Sequence, residues 1–183
     1  RQSDGSQLCD IGFVDAPGKL LAEGSVVSEA LSTVVADATA LAAAELVGVS
    51  AKALELTLDY VKTREQFGKP IGSFQVIQHR AVDLYVAQQV AEAGVSEALA
   101  RMDVSADQGA RIREASRAKA RACSTAKRIT RESIQLHGAV GYTDEFDIGL
   151  FLNRALVLSA WLGDAAYHRA RWMDALEANE AGR

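Results

Sequence analysis

From Ser28 to Thr63 no proline interrupts the chain, and alanine and leucine dominate, so nothing local stops a helix over the whole stretch. Apolar positions recur at helical spacing through Ala42, Leu46, Val49, Ala53, Leu56 and Tyr60. At ~1.5 Å per residue such a helix is roughly 50 Å long. Gly68 and Pro70 are expected to end it, glycine by supplying a left-handed cap and proline by refusing to extend a helix.

The remainder reads largely the same way. A second helix is expected from near Ser73, with Ile77, Ala81, Leu84, Gln88, Ala91, Val95 and Ala98 on one face, and Asp103 to Gly109 as the following loop. A third, from about Ala110 to Leu136, carries Ala115, Ala118, Ala122, Ala126, Ile129, Ser133 and Leu136 on a stripe of mostly small side chains that permits close helix approach. Gly138 and Gly141 stop it, and a loop through Asp147 leads to a shorter helix from about Gly149 to Leu162. Gly163-Asp164 separates that from a last helix, Ala165 to about Ala178. In front of these, Leu8 to Val14 has strand-type residues turned by Asp15-Ala-Pro-Gly-Lys. The expected fold is all-α, an up-and-down bundle of four or more helices preceded by a short strand remnant.

Composition narrows the function. Half of the 183 residues are apolar (49%), enough to bury a core without cross-links. The two cysteines, Cys9 and Cys123, stand in no metal or redox spacing, which fits a reducing cytoplasm. A net charge of -4 argues against a general nucleic-acid binder. No apolar run is expected to reach membrane-spanning length, and no signal peptide is evident. There is no Glu-x-x-His pair for a di-iron bundle, no nucleophile elbow, no Walker loop and no dinucleotide fingerprint. The opening Arg1-Gln-Ser-Asp-Gly-Ser has no initiator Met and reads as a chain entered part-way.

Two runs carry candidate chemistry. In Arg64-Glu-Gln-Phe-Gly-Lys-Pro-Ile-Gly-Ser-Phe-Gln75, arginine offers a planar fork of donors for phosphate oxygens and Phe67 a face for an adenine. A helix end with a charged cap and a buried aromatic explains the same residues. In Gln135-Leu-His-Gly-Ala-Val-Gly-Tyr142, Gln135 can bond a nucleotide edge or phosphate, and His137 can donate to a ribose or phosphate. Gly138 and Gly141 allow backbone amides close to a ligand, and helix termination accounts for them equally well. The basic series Arg113, Arg117, Arg121, Lys127, Arg128 and Arg131 has Glu114 and Glu132 interleaved and reads as a solvated helix face. Trp161, Tyr167 and Trp172 read as core and interface anchors, and Asp164 as the N-cap of the last helix with His168 one turn on.

With both runs in view, the chain resembles the C-terminal helical domain of the acyl-CoA dehydrogenase family over nearly its whole length. Ala16-Pro-Gly-Lys-Leu-Leu-Ala-Glu-Gly24 resembles that family's exit from its middle β-domain, which makes 1–24 the end of a β-domain with a linker and 25–183 the helical bundle. Arg64-Glu-Gln-Phe-Gly-Lys-Pro-Ile resembles the Arg-x-x-Phe-Gly-x-x-Ile signature, with Phe74-Gln75 its following pair. Gln135 to Glu145 resembles Gln-x-x-Gly-Gly-x-Gly-Tyr/Phe-Thr-x-Glu, with Ala139 where the second glycine usually stands and its methyl group added at a tight approach.

The resemblance implies that Arg64 binds the diphosphate of an FAD held mainly by a neighbouring subunit, with Gln66, Phe67, Phe74, Gln75, Gln135, Leu136, His137, Gly138 and Ala139 around the adenosine. It further implies an acyl-CoA thioester substrate, a homo- or hetero-oligomer, commonly a dimer of dimers, and an electron-transfer flavoprotein as a usual electron acceptor. The family's α,β-dehydrogenation needs a carboxylate to take the α-proton. Its usual Glu-Gly-Thr segment matches Leu162-Gly163-Asp164 here, and its alternative position on the first helix matches Ala38, with Thr39 where an arginine commonly follows. Both base positions are hydrocarbon, so the expected catalytic residues on this chain are none. Three readings follow: a non-catalytic subunit of a heteromeric dehydrogenase; a competent enzyme whose base has moved to Asp37, Glu45, Glu145 or Asp164; or a helical interaction module without flavin.

Overall fold

A computed structural model describes residues 1–143 and 146–181, with side chains described through residue 176. Five helices make up most of it: α1 (Ser25–Thr63), α2 (Gln75–Val104), α3 (Gln108–His137), α4 (Ile148–Ala160) and α5 (Ala165–Ala181). Single 3-10 turns at Ile71–Ser73 and Gly138–Tyr142 join them. The all-α bundle is as expected.

Helix α3 is the central element, packed against each of the other four. Its small-residue stripe lies inside: Ala115, Ala118, Ala122, Ala126, Ile129, Ser133 and Leu136 are all buried. Alanines at those positions let α1 come close, and Ala43, Leu46, Ala53 and Leu54 fill the facing layer. A polar bridge spaces α1 from α2, where Ser50 Oγ donates to Gln88 Oε1 at 2.7 Å and Gln88 Nε2 donates to the Val47 carbonyl at 3.1 Å. Asp107 caps α3 by accepting from the Gly109 and Ala110 amides. The loop between α2 and α3 is shorter than read from sequence, since helix extends to Val104 and resumes at Gln108.

Three expectations are corrected. Leu8 to Val14 forms no strand; it runs exposed with no pairing segment among the described residues, and a strand exists only through its partners. The only described sheet lies instead at the end of α1, where Glu65–Gln66 (β1) pairs antiparallel with Lys69–Pro70 (β2). Because Arg64 leaves α1 in extended conformation, Gly68 and Pro70 shape this hairpin and do not cap the helix. Finally, α1 (Ser25–Thr63) is long and apolar enough to cross a membrane by length and composition. Part of the apolar surface of α1 is used against α3 in the bundle.

Candidate cofactor corner and the turn at the base position

At one end of the bundle the chain leaves α1 through Arg64, whose amide donates to the Tyr60 carbonyl and whose carbonyl accepts from the Ile71 amide, both at 2.8 Å. The hairpin turn between is Phe67-Gly68, with φ of 56° and 77°. Two-residue hairpin turns of this type favour asparagine, aspartate or glycine, and a phenylalanine there is strained. Phe67 is nonetheless 92% exposed, which removes the helix-end reading's buried aromatic. Its ring meets Phe74 edge-on at 6.1 Å, and Lys69 Nζ sits 4.5 Å from the Phe74 ring centre. Gly72 makes the return to α2 compact, since a Cβ there would lie 2.8 Å from the Val61 carbonyl oxygen.

The Arg64 guanidinium is exposed and bonds no side chain among the described residues. Gln66 is exposed and donates to the Glu65 carbonyl, and Gln75 is exposed at the first turn of α2.

The second run meets the first through Tyr60. Its ring stacks on His137 at 4.3 Å, and its hydroxyl donates to the His137 carbonyl at 3.3 Å. His137 Nδ1 donates to the Ser133 carbonyl at 2.7 Å, and the ring is 3% exposed. Leu136 is buried too, so the side chains of these two residues belong to the core and only their backbone faces the end of the bundle. Gln135, Gly138 and Ala139 are exposed. Gly138 stops α3 at φ 66°, and a Cβ on Gly141 would lie 2.8 Å from the Ile134 carbonyl oxygen. Gln135 lines a cavity of about 390 Å³ with Arg80, Arg131 and Tyr142. Exposed guanidinium, aromatic and amide groups thus gather where α1 and α3 end.

Away from this corner, α4 ends at Ala160 and the chain turns through Trp161, Leu162 and Gly163. Leu162 has φ 60° and Gly163 φ 105°. Beneath the turn lies Lys119, fully buried, its ammonium donating to the carbonyls of Leu158 (2.9 Å), Trp161 (2.8 Å) and Gly163 (3.0 Å). Burial pushes its pKa down from the usual lysine value. His168, also fully buried, bonds the Leu162 carbonyl through Nε2 at 3.0 Å and Ser116 Oγ through Nδ1 at 3.3 Å. Desolvation, then the Lys119 charge, pushes this imidazole down to about 4. Asp164 is the expected N-cap, accepting from the Ala166 and Tyr167 amides, and those bonds, Tyr167's first, hold its carboxyl below the usual range. Trp161 and Tyr167 are half exposed. Sequence reasoning missed Lys119, although a lysine flanked by Ala118 and Ala120 within the buried stripe was the available signal.

Leu162 lines a cavity of about 530 Å³ together with Trp161, Glu45, Arg154, Gln7 and Leu8. Arg154 binds Glu45 at 2.6 Å and Asp4 at 2.8 Å. Bonds from the Ser6 hydroxyl and Arg154 bring the Asp4 carboxyl to about 2. Ala38 is half-buried, and Thr39 Oγ1 donates to the Val35 carbonyl. Asp37 is held by Arg111 at 2.5 Å, and Glu145 lies outside the described residues. Among the described relocated-base candidates, Glu45 alone shares a cavity with Leu162.

Residues 28–176 match the family model for the acyl-CoA dehydrogenase C-terminal domain. The acyl-CoA dehydrogenase IpdE2 of Mycobacterium tuberculosis is 43% identical over 122 residues, covering 66% of this chain and 36% of that protein. The chain spans about a third or less of the curated relatives it matches. A solved structure described as the Tcur3481-Tcur3483 steroid ACAD G363A variant superposes with TM-score 0.78 at 28% identity, over 83% of this chain and 41% of that one. A glutaryl-CoA dehydrogenase from Mycobacterium smegmatis in complex with FADH2 superposes with TM-score 0.75, over 85% of this chain and 39% of that one. At 24% identity it attests the fold alone.

Proposed function

The chain belongs to the acyl-CoA dehydrogenase family, matching its C-terminal helical domain, and from that premise we propose that it is the FAD-binding and oligomerisation part of an acyl-CoA dehydrogenase-like flavoprotein without a catalytic base of its own. The observation that carries this reading is the strained, exposed Phe67 beside Arg64, whose guanidinium bonds no side chain among the described residues, on the end of the bundle that Tyr60 ties to the Gln135–Ala139 segment. Strain at an exposed turn persists where function needs the side chain outward.

Arg64 fits a diphosphate, its fork being free of side-chain partners among the described residues. Phe67, Phe74, Gln66, Gln75 and Gln135 offer ring faces and amides to an adenosine, and Gly138 and Ala139 present open backbone. When bound, FAD supplies the hydride acceptor for dehydrogenation of an acyl-CoA thioester. Leu162 and Ala38 cannot accept the α-proton, so that role falls to a homologous partner subunit carrying the carboxylate. The assembly is a hetero-oligomer, a dimer of dimers, working in the cytoplasm and passing electrons to an electron-transfer flavoprotein. Co-purification with such a partner is the direct test, and an assembly without FAD would leave only an interaction module. Arg64→Ala in the complete protein is expected to weaken FAD binding by ~1.5 to 3 kcal/mol, measured by flavin retention on dialysis.

A second reading has one observation in its favour, the cavity that Glu45 shares with Leu162. Under it Glu45 is the relocated base, and an acyl-CoA bleaches the flavin with this chain as the sole subunit. Glu45→Gln would then abolish the bleaching. The Arg154 pair disfavours this role, because the guanidinium already occupies the carboxylate that would have to meet the α-proton.

A further inference from the structure

We infer that Lys119 is a positioning residue: by gathering the carbonyls of Leu158, Trp161 and Gly163 it fixes how residue 162 is presented to the cavity, whatever side chain stands there. This deepens the proposed function and rests on it, in that position 162 is taken as the family's base position.

The argument begins with the end of α4. The last four carbonyls of a helix have no intrahelical partners and carry the negative end of its dipole. An ammonium group has three donors and no acceptor, and here all three are used, at 2.9, 2.8 and 3.0 Å. Their acceptors lie before Leu162, immediately before it, and after it. The remaining carbonyl, that of Leu162 itself, is taken by His168, which Ser116 braces from the same helix that carries Lys119. Gly163 closes the turn from the other side, since a Cβ there would be 2.3 Å from Tyr167 Cδ1.

Every carbonyl from Trp161 to Gly163 is therefore engaged by α3 or α5, and none of these bonds uses the side chain at 162. Leu162 stays at φ 60° although an isobutyl group gains nothing from that conformation. The frame belongs to Lys119 and His168, and the occupant of position 162 is interchangeable.

The test uses the full chain in its native assembly and hydrogen exchange read segment by segment. Lys119→Met removes the donors at nearly constant volume, and is expected to speed amide exchange across Trp161–Ala165 by ~10-fold or more while Arg64–Phe74 is unchanged. Leu162→Glu alone is expected to leave exchange in the turn within about two-fold of the original. Should Lys119→Met fail to fold, this second variant still decides, because faster exchange in it overturns the claim. A third reading uses a thiol: in a Cys9→Ser, Leu162→Cys chain, the pH profile of iodoacetamide alkylation is expected to move to higher pH when Lys119→Met is added, since a nearby cation is lost. Unchanged exchange in the turn, equal acceleration in every segment, or an unmoved alkylation profile would overturn the proposal. No arm reads flavin, so a failure of FAD binding would leave these outcomes intact.

Discussion

Two dipeptides in this chain share one feature of the backbone: Phe67-Gly68 and Leu162-Gly163 each place a bulky residue and then a glycine at positive φ. Their surroundings are opposite. Phe67 projects into solvent at the tip of a two-residue hairpin, and a Cβ on Gly68 would touch nothing within 4 Å. Leu162 is partly buried, its carbonyl and its neighbours' carbonyls are all bonded, and Gly163 has a tyrosine ring against it. A left-handed bulky residue costs roughly 1–2 kcal/mol in either place. At the corner that cost keeps an aromatic face outward, free for a ligand. At the turn it is one component of a locked frame that directs a side chain toward a cavity.

The comparison can be broken most sharply at Lys119. Lys119→Met strands the three carbonyls that the ammonium engages and is expected to destabilise the fold by about 3 kcal/mol in urea titration, or more if the turn cannot relax. A loss below about 1 kcal/mol would mean the turn is not locked. The two glycines come next. Gly163→Ala meets both an unfavourable φ and the Tyr167 ring, and should cost about 2–4 kcal/mol. Gly68→Ala meets the φ penalty alone and should cost about 1 kcal/mol. Equal losses, read from thermal midpoints, would erase the distinction between open and closed turns.

Acid should act on the turn through His168. His168 has a folded pKa near 4 against an ordinary value of 6.5, so between those limits the unfolded chain binds the extra proton. Stability from this group is complete above about pH 6.5 and is lost as pH falls toward 4, by up to ~3 kcal/mol. Asp4 and Asp164, whose pKa values are lowered from 3.8, lose their contributions only in more acidic solution. His168→Gln should flatten the slope between pH 6.5 and 4 in urea midpoints taken across that range. The smallest effect belongs to Phe67→Asn, which relieves strain at the cost of an exposed edge contact with Phe74. A gain of about 0.5 kcal/mol in stability is expected, with weaker FAD retention. A stability loss above about 1 kcal/mol would show that Phe67 contributes to the fold itself.

Much of the bundle was readable because helix faces are local. The stripe from Ala115 to Leu136 and the face from Leu84 to Ala98 needed only 3.6-residue spacing, and Asp164 needed only its place before a helix. Leu8–Val14 misled because strand-type residues make a strand only when another edge is offered. The hairpin at Glu65–Pro70 escaped notice because its turn contains phenylalanine where a turn-former is usual. The candidate site was legible as two motifs, but whether Phe67 was buried, or the His137 ring free, could not be read from either.

What the sequence determined by itself is the set of helices, their inward stripes and the two runs that mark the family, all of which follow from residue spacing within one element. Tertiary structure alone decided that Tyr60 stacks on His137, that Phe67 stands exposed, and that Lys119 lies wholly buried beneath Leu162. The first and last of these depend on contacts between residues about 40 to 80 positions apart. Only packing settles which polar group finds its partners inside and which is left to face a ligand.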